Sequence, residues 1–484
     1  MAAKTYLNYI DGDWTPSSTG ETFDLINPAT CEIIASAQHS DPADMSWAID
    51  CAERAFWSTS WRNNPGLRRD AFLKLAGCVS HNLNLLADLN TANNGKTLND
   101  SRTELMKLVD LISYYAGLTM NVFGRAIEPA QDAFSVLIRE PLGVVGVISP
   151  WNFPLTLMLR AAIPALAAGN AVVLKPASLT AAISMEFVEL LSETGAFPKG
   201  MVNAVTGPGQ TLGELLAKSE KVGMISFTGD NSTGRRVAEL GAVTMKKVAL
   251  ELGGKSPNIL FADADLNKAL PTAVKAAFSN CGQVCMAARR LVVQDTIFDR
   301  VVEGMKTALE SLIVGDGRDE RTQMGPLISR KQMETVLEYI ELGKQEGNLI
   351  TGGYRLQGPE YDRGFFVAPT LFTDLENDSR LVQEEIFGPV LIAQKFHTEE
   401  EAIEIANGTR YGLAAAVWTL DVNRAIRVAK AMQAGTVWVN SYRKTYCQAE
   451  FGGYKESGAG RTTGIEGMLE CTQLKHINFD LAAM

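Results

Sequence analysis

The chain has 484 residues, more than one hydrophobic core usually supports, so its length predicts two or three domains. Hydrophobic residues make up 46% and charged residues 21% of the chain, as in an ordinary water-soluble globular protein. The formal net charge of −10 argues against a nucleic-acid-binding protein, which needs a basic face.

The first 120 residues are predicted to be mainly helical, with amphipathic stretches at 43–57 and 66–92. Before them, residues 1–13 contain no apolar core of a secretory signal. The most apolar segment, 142–174, is interrupted by prolines, asparagines and an arginine, so we expect no membrane span. We therefore expect a cytoplasmic protein with no membrane partner.

Residues 143–251 alternate short apolar runs with helical stretches, which predicts a Rossmann-type parallel sheet. The predicted strands are 144–148, 171–174, 202–205 and 224–227, and the predicted helices are 155–168, 180–195, 210–218 and 232–241. Three loops, 150–154, 175–178 and 229–234, follow strands at one sheet edge, where such folds bind ligands. The alternative is that these loops are only connections.

Residues 256–440 repeat the alternation, with strands predicted at 257–261 and 291–293, and indicate a second α/β domain. The segment 123–140 and the tail from about 441 contain no apolar core of their own. The seven cysteines are odd in number and scattered, without metal-ligand pairs or a nearby histidine, so we predict no metal site. Such cysteines suit a reducing compartment.

Two residues in this region are candidates for nucleophile and base. Cys285 follows a Gly-Gln turn in the run from Phe278 to Ala287, a position from which a thiolate can face a cleft. Glu251 lies between apolar residues and glycines, where desolvation would raise its pKa into the range of a general base. The alternatives are a small buried cysteine and a surface carboxylate.

Two further sequence blocks favour the catalytic interpretation of Cys285 and Glu251 over these alternatives. Asn152 is held between Pro150 and Pro154, although it could instead cap the following helix. A rigid acidic turn spans Glu384–Pro389. In this order the blocks resemble the aldehyde dehydrogenase superfamily, and the resemblance extends over nearly the whole chain, from Ile10 to Gly458.

The resemblance implies an aldehyde-dehydrogenase-like α/β fold with three parts. Residues 1–122 and 143–252 would form the NAD(P)-binding domain, and 253–440 the catalytic domain. Residues 123–142 and 441–484 would form a β-strand arm that crosses to a neighbouring subunit in a homodimer or homotetramer.

The resemblance also implies the chemistry, which is oxidation of a small aldehyde to a carboxylic acid with NAD or NADP. Cys285 would be the nucleophile, Asn152 and the Cys285 backbone N–H the oxyanion donors, and Glu251 the base for thioester hydrolysis. The cofactor would contact Ser149, Trp151, Lys175, Ser178, Gly207, Phe227, Gly229, Asp230, Leu252, Glu385 and Phe387. The substrate would contact Phe153, Arg160, Arg443, Thr445 and Phe451.

Three departures from the family pattern bear on specificity. Ser178 replaces the glutamate of NAD-preferring relatives, so we expect NADP to be accepted. Asp230 replaces a serine in the dinucleotide turn, which leaves its cofactor contact open. Arg160 replaces an aromatic residue and resembles the succinate-semialdehyde group, where an arginine receives the substrate carboxylate, although Ser279 replaces that group's second arginine.

These departures leave several alternatives. Arg160 could pair with an internal carboxylate, and the enzyme could be a broad-range aliphatic or aromatic aldehyde dehydrogenase. Betaine aldehyde is disfavoured, because a quaternary ammonium binds an aromatic cage rather than cations. A CoA-acylating enzyme would not need Glu251, a cysteine hydrolase would need a histidine near the thiol, and the intact residue set argues against a non-catalytic role.

Overall fold

The structure is a computed structural model that describes residues 4–482. Residues 1–3 and 483–484, at the ends of the first and last predicted segments, lie outside the described residues. Two large sheets form the cores of two α/β domains, and a separate three-stranded sheet extends from them. No helix within 4–482 is long and apolar enough to cross a membrane.

The first domain is built on an eight-stranded sheet whose central strands are parallel. In spatial order its strands are Gly458–Ala459, Lys247–Glu251, Val222–Thr228, Val144–Ile148, Ala171–Lys175, Val202–Ala204, Asn8–Ile10 and Asp13–Thr15. Its helices are Pro42–Ser58, Pro65–His81, Leu83–Asn94, Leu98–Leu118, Pro154–Ala167, Ala181–Glu193, Gly209–Lys218 and Asn231–Ala242. The predicted parallel sheet is confirmed, and its helices and strands agree with the predicted ones to within a few residues.

The second domain contains a seven-stranded sheet that is parallel except at one edge. Its strands are Asn348–Thr351, Thr370–Thr373, Val390–Phe396, Arg290–Gln294, Pro257–Leu260, Ala414–Trp418 and Thr436–Val439. Its helices are Leu266–Phe278, Phe298–Glu310, Arg330–Glu346, Arg380–Gln383, Glu399–Asn407 and Val422–Ala431. Cys285 lies between the helix Leu266–Phe278 and the strand Arg290–Gln294.

The beginning of the chain differs from the prediction of a mainly helical segment. Residues 4–38 form strands, of which Lys4–Tyr6, Ile33–Gln38 and Thr22–Ile26 make a separate small sheet. Two more strands extend the large first sheet, since Tyr9 pairs with Ala204. These strands are three to six residues long and are stabilised by pairing with distant segments, so local periodicity does not indicate them. The predicted stretch 66–92 is also divided, because one helix ends at His81 and the next begins at Leu83.

The extended sheet consists of Thr472–Asp480, Ala133–Pro141 and Arg125–Ala130 in that spatial order. It contains the predicted segment 123–142 but only the last part of the predicted tail 441–484. Residues 441–471 lie against the two domains instead. Two of their strands pair with strands of the domains, Gly458–Ala459 with Lys247–Glu251 and Tyr454–Lys455 with Tyr411–Gly412. Their helix Gly464–Leu469 packs on the helix Pro154–Ala167. The tail therefore covers the interdomain region before it reaches the extended sheet.

Candidate active site

The turn that carries Cys285 has an unusual backbone. After the helix ends at Phe278, Asn280 and Cys281 adopt left-handed conformations, with φ of 49° and 55°. Such conformations are strained for residues other than glycine and recur at functional sites. The side chain of Cys281 is fully buried, and burial raises the pKa of its thiol far above the ordinary value. Cys285 is half-buried and lines a cleft, so it is the thiol available for chemistry.

Asn152 is fixed next to this turn by hydrogen bonds on both its side chain and its backbone. Its Nδ2 donates to the carbonyl oxygen of Gln283 over 3.0 Å. Its own carbonyl accepts from Lys96 Nζ at 2.9 Å and from Asn280 Nδ2 at 3.0 Å. Lys96 is itself held by Glu104 in a fully buried ion pair of 2.6 Å. The following helix receives no side-chain cap, so Asn152 does not serve as one and keeps its second N–H for another acceptor.

Glu251 is the last residue of the strand Lys247–Glu251, and its carboxylate is buried. Burial raises the pKa of Glu251 to about 7, and the positive charge of Arg160 opposes that shift. Arg160 Nη2 donates to Glu251 Oε2 over 3.4 Å, and its guanidinium carbon lies 4.7 Å from the centre of the Phe451 ring. The internal ion pair considered from the sequence is therefore present.

The charges around Cys285 act in opposite directions. Burial raises the pKa of the Cys285 thiol to about 11, and the negative charges of Glu385 and Glu251 raise it further. The charge of Arg160 lowers the same pKa, so this guanidinium acts on the nucleophile as well as on the base. A thiol in this state requires a base to remove its proton at neutral pH.

A cavity of 830 Å³ lies on the first domain's side of Cys285. It is lined by ten of the eleven predicted cofactor residues, namely Ser149, Trp151, Lys175, Ser178, Phe227, Gly229, Asp230, Leu252, Glu385 and Phe387. Gly207 does not line it: its φ is 144°, its carbonyl accepts from Ser178 Oγ at 2.8 Å, and a Cβ there would approach Ser40 N to 2.9 Å. Gly207 therefore shapes the turn behind Ser178.

Two charged residues of this cavity are engaged within the chain. Asp230 caps the helix Asn231–Ala242, accepting from the backbone N–H of Thr233 at 3.0 Å and from the Ser232 hydroxyl. These hydrogen bonds lower the pKa of Asp230 although partial burial opposes them. Lys175 Nζ donates to the Pro176 carbonyl at 2.9 Å, and burial lowers the pKa of Lys175 to about 8. The aspartate is thus explained as a helix cap.

The opposite wall comes from the second domain. Glu385 is half-buried, with its side chain 15% exposed; desolvation raises its pKa, and Arg289 donates to its Oε1 over 2.9 Å. Phe387 lies edge-on to Trp151, with ring centres 5.3 Å apart. Gln332 also lines the cavity and donates to the carbonyls of Ile386 and Phe387, and no pattern in the sequence indicated this residue.

The cavity fits a nicotinamide dinucleotide by its own features. Ser149 Oγ is buried without a hydrogen-bond partner among the described residues, and it lines this cavity. At Gly229 a Cβ would lie 2.5 Å from Phe227 Cζ, so only glycine allows the backbone to pass this wall. A free hydroxyl, aromatic walls and a buried carboxylate are the contacts that a ribose and a nicotinamide ring require.

A second cavity, of 770 Å³, lies on the other side of Cys285. All five predicted substrate residues line it: Phe153, Arg160, Arg443, Thr445 and Phe451. Cys285 and Leu157 line both cavities, so the thiol lies where they meet. The sequence did not indicate several other lining residues, which come from the helix Leu98–Leu118 and the 436–447 region: Lys107, Tyr114, Trp438 and Cys447.

Known proteins resemble this chain in sequence and in fold. A sequence profile of the aldehyde dehydrogenase family matches residues 14–477. Betaine aldehyde dehydrogenase of Bacillus subtilis is 43% identical over 97% of this chain and 96% of its own length. An aldehyde dehydrogenase of Davidiella tassiana is 38% identical over 98% of this chain and 95% of its own. The structure of betaine aldehyde dehydrogenase from Staphylococcus aureus in complex with NAD+ has a TM-score of 0.97 at 37% identity and covers 98% of this chain and 95% of its own. The predicted family, fold class and enzyme class are confirmed.

Proposed function

The chain belongs to the aldehyde dehydrogenase family, and from that premise we propose that it oxidises an aldehyde to a carboxylic acid with NAD or NADP through Cys285. One observation carries the proposal: Cys285 lies at the junction of the two cavities, and both Glu251 and Asn152 line the cofactor side of that junction. A substrate in one cavity can therefore reach the nucleophile together with a cofactor in the other.

Each residue then has a defined role. Glu251, with its pKa of about 7, accepts the thiol proton, and Cys285 Sγ forms a bond to the aldehyde carbon. The oxyanion is stabilised by the free N–H of Asn152 and the backbone N–H of Cys285. A bound nicotinamide supplies the acceptor for the hydride that leaves this carbon. Once Glu251 has lost the thiol proton to solvent, it takes a second one from water, whose hydroxyl bonds to the thioester carbon. The C–S bond then breaks, Cys285 Sγ takes the second proton back from Glu251, and the carboxylic acid is released.

For the cofactor we propose that NADP is accepted beside NAD. Ser178 lines the cofactor cavity, and its hydroxyl donates a hydrogen bond to the Gly207 carbonyl. A serine carries no charge that would repel a 2′-phosphate, and Lys175 in the same cavity can pair with an anion.

For the substrate we propose an aldehyde with an anionic far end, such as succinate semialdehyde. Four cations, Lys107, Arg160, Arg443 and Lys444, line the substrate cavity. The names of the bacterial relatives favour a second candidate, betaine aldehyde. A quaternary ammonium needs free aromatic faces, and the rings of Phe153 and Phe451 already have a lysine or an arginine over them, at 4.0 to 5.8 Å. Tyr114, Trp438 and Tyr446 remain in this cavity, but its four cations would repel a cationic substrate.

A panel of aldehydes tests both the proposed enzyme class and the proposed substrate class. The kcat/KM values of the wild-type enzyme would be measured for succinate semialdehyde, butanal, benzaldehyde and betaine aldehyde, each with NAD and with NADP. We expect turnover with several aldehydes and the highest value for the anionic one. A preference for betaine aldehyde would contradict the substrate class and leave the enzyme class intact. Dependence on added CoA would instead indicate an acylating enzyme.

We also propose that the extended three-stranded sheet mediates assembly into a dimer or tetramer in the cytoplasm. Leu474, Ile477 and Ile127 on this sheet are 53%, 38% and 45% exposed. All seven cysteines are free thiols, which suits a reducing compartment. Deletion of residues 473–484 removes most of the strand Thr472–Asp480 and should give smaller or aggregated species in sedimentation. A fully active, intact oligomer after this deletion would contradict the role of the sheet.

A further inference from the structure

Three positive side chains in the substrate cavity, those of Lys107, Arg443 and the exposed Lys444, have no carboxylate partner among the described residues. Lys107, on the helix Leu98–Leu118, and Arg443, on the segment after the strand Thr436–Val439, both line this cavity. Within residues 4–482 no carboxylate oxygen lies within 4.0 Å of either side chain's nitrogens. Lys96, Arg160 and Arg289 differ from them, because each has such a partner.

The two cations are close enough to affect each other. The pKa of Lys107 is lowered, first by desolvation and then by the positive charges of Arg443 and Lys275. Lys107 Nζ donates to Thr445 Oγ1 over 3.2 Å, and Thr445 is two residues beyond Arg443. Lys107 is exposed, so solvent screens part of the repulsion between these like charges, and an anion between them removes what remains. Asp100, Asp110 and Glu450 also line the cavity without approaching either cation to pairing distance.

The backbone at Arg443 is strained, and the chain on either side of it is fixed. Arg443 has φ of 56°, a left-handed conformation that is uncommon for a residue with a side chain. Tyr442 Oη donates to the carbonyl of Met286, the residue next to the nucleophile, over 2.7 Å. Trp438 Nε1 donates to the carbonyl of Lys444 over 2.9 Å. These hydrogen bonds hold the backbone on both sides of Arg443 in place, and strain of this kind is typical of ligand-binding sites.

The guanidinium of Arg443 keeps its donors available. Its central carbon lies 5.8 Å from the centre of the Phe153 ring, a contact that uses a face of the guanidinium rather than its N–H groups. Among the described residues its side chain donates no hydrogen bond to the protein. A planar fork with free donors matches a carboxylate, and Lys107 adds a second point of charge.

We infer that Lys107 and Arg443 together form the subsite that binds the anionic far end of the aldehyde, while Arg160 remains paired with Glu251. This inference rests on the proposed function and assigns a new residue, Lys107, to substrate selection. The group that it binds is a carboxylate or a similar small anion, carried by a substrate whose aldehyde carbon reaches Cys285 in the same cavity.

The test compares succinate semialdehyde with butanal, a neutral aldehyde of equal chain length, in Lys107→Met, Arg443→Met and the double variant. Each single change should lower kcat/KM for the anionic aldehyde about 10-fold or more through KM, with butanal unchanged within about twofold. Arg102→Met is the matched control, because Arg102 lies on the same helix, pairs with Glu320 and does not line the cavity. Lys107→Arg keeps the charge and should keep most of the preference.

The outcomes separate the inference from the proposed function. If the wild-type enzyme oxidises no aldehyde, or favours none with an anionic end, the proposed function fails before any variant is considered. If the wild type favours the anionic aldehyde and Lys107→Met and Arg443→Met keep that preference, the subsite is wrong and the anion binds elsewhere. Equal losses for both aldehydes would show that these cations do not select the anionic end, which also overturns the inference, and a lowered thermal unfolding temperature would assign them a structural role.

Discussion

The two cavities that meet at Cys285 differ in how their charges are balanced. On the cofactor side, Glu385 is paired with Arg289, and the charged carboxylate of Asp230 accepts the hydrogen bonds of a helix cap. On the substrate side, Lys107 and Arg443 have no anionic partner within the described residues. The carboxylates of the cofactor cavity are therefore engaged within the chain, and Lys175 is a cation left for an anionic group of the ligand. A cavity with free cations is selective for an anion.

They also differ in how they are assembled along the chain. Most of the cofactor cavity consists of loops that directly follow strands of one parallel sheet, as in other folds of this type. The substrate cavity joins a helix, a second helix and a late segment, and its contact between Lys107 and Thr445 spans 338 positions. The first cavity is therefore defined by local motifs and the second by tertiary packing.

The largest expected effect is that of replacing Cys285, the nucleophile that lines both the cofactor cavity and the substrate cavity. Cys285→Ala should lower aldehyde oxidation by ~10³-fold or more, because no other group supplies the covalent step. Dinucleotide binding, measured by fluorescence titration, should be unchanged. Cys281→Ala is the control, since this neighbouring thiol is buried away from both cavities, and it should keep most of the activity. Substantial turnover by Cys285→Ala would contradict the covalent mechanism.

The next largest effect concerns the base on the cofactor side. Glu251→Gln should slow thioester hydrolysis by ~10²–10⁴-fold, so that a burst of reduced cofactor precedes a slow steady state. Because Glu251 must be deprotonated to act and its pKa is about 7, the wild-type steady-state rate should rise with pH through about 7 and fall below it. This acid limb should be absent in the variant. A stopped-flow burst and a pH profile measure both effects, and an unchanged profile would assign the base to another group.

The contrast between the cavities explains how much the sequence could predict. Cys285, Glu251 and Asn152 stand in short, specific blocks, and ten of eleven predicted cofactor residues line one cavity. Lys107 carries no local signal, because a lysine on an amphipathic helix is usually a solvated residue and only packing brings it beside Arg443. The strands of residues 4–38 were not predicted for the same reason, since their pairing partners lie far along the chain.

A smaller effect is expected at the ribose end of the cofactor cavity. Ser178→Glu places a carboxylate where a 2′-phosphate would lie, and repulsion should raise KM for NADP about 10- to 100-fold with little change for NAD. Ser178→Ala is the control, because it removes the hydrogen bond to Gly207 without adding charge. Steady-state kinetics with each cofactor measure the ratio. Equal KM values for NADP in the wild type and the glutamate variant would place the ribose away from Ser178.

The smallest expected effect is that of replacing Arg160, which lines the substrate cavity and pairs with Glu251 of the cofactor cavity. It distinguishes a role in tuning the pKa of Glu251 from a role in binding the substrate carboxylate. If Arg160 chiefly tunes the reacting groups, Arg160→Met should raise the pKa of Glu251, because the positive charge that opposes burial is lost. The acid limb of the pH profile should then move upward by about one unit, since an opposite charge at this range shifts a pKa by roughly that amount. At neutral pH the rate should fall up to about 10-fold for succinate semialdehyde and butanal alike.

Arg160→Lys keeps the charge and should keep the pH profile near that of the wild type. An unchanged pH profile in Arg160→Met, with a KM increase confined to the anionic aldehyde, would return Arg160 to the role that the sequence predicted, as a receptor for the substrate carboxylate. The ion pair with Glu251 would then be one that the substrate displaces, because a single N–H at 3.4 Å is a weak contact compared with a bidentate carboxylate.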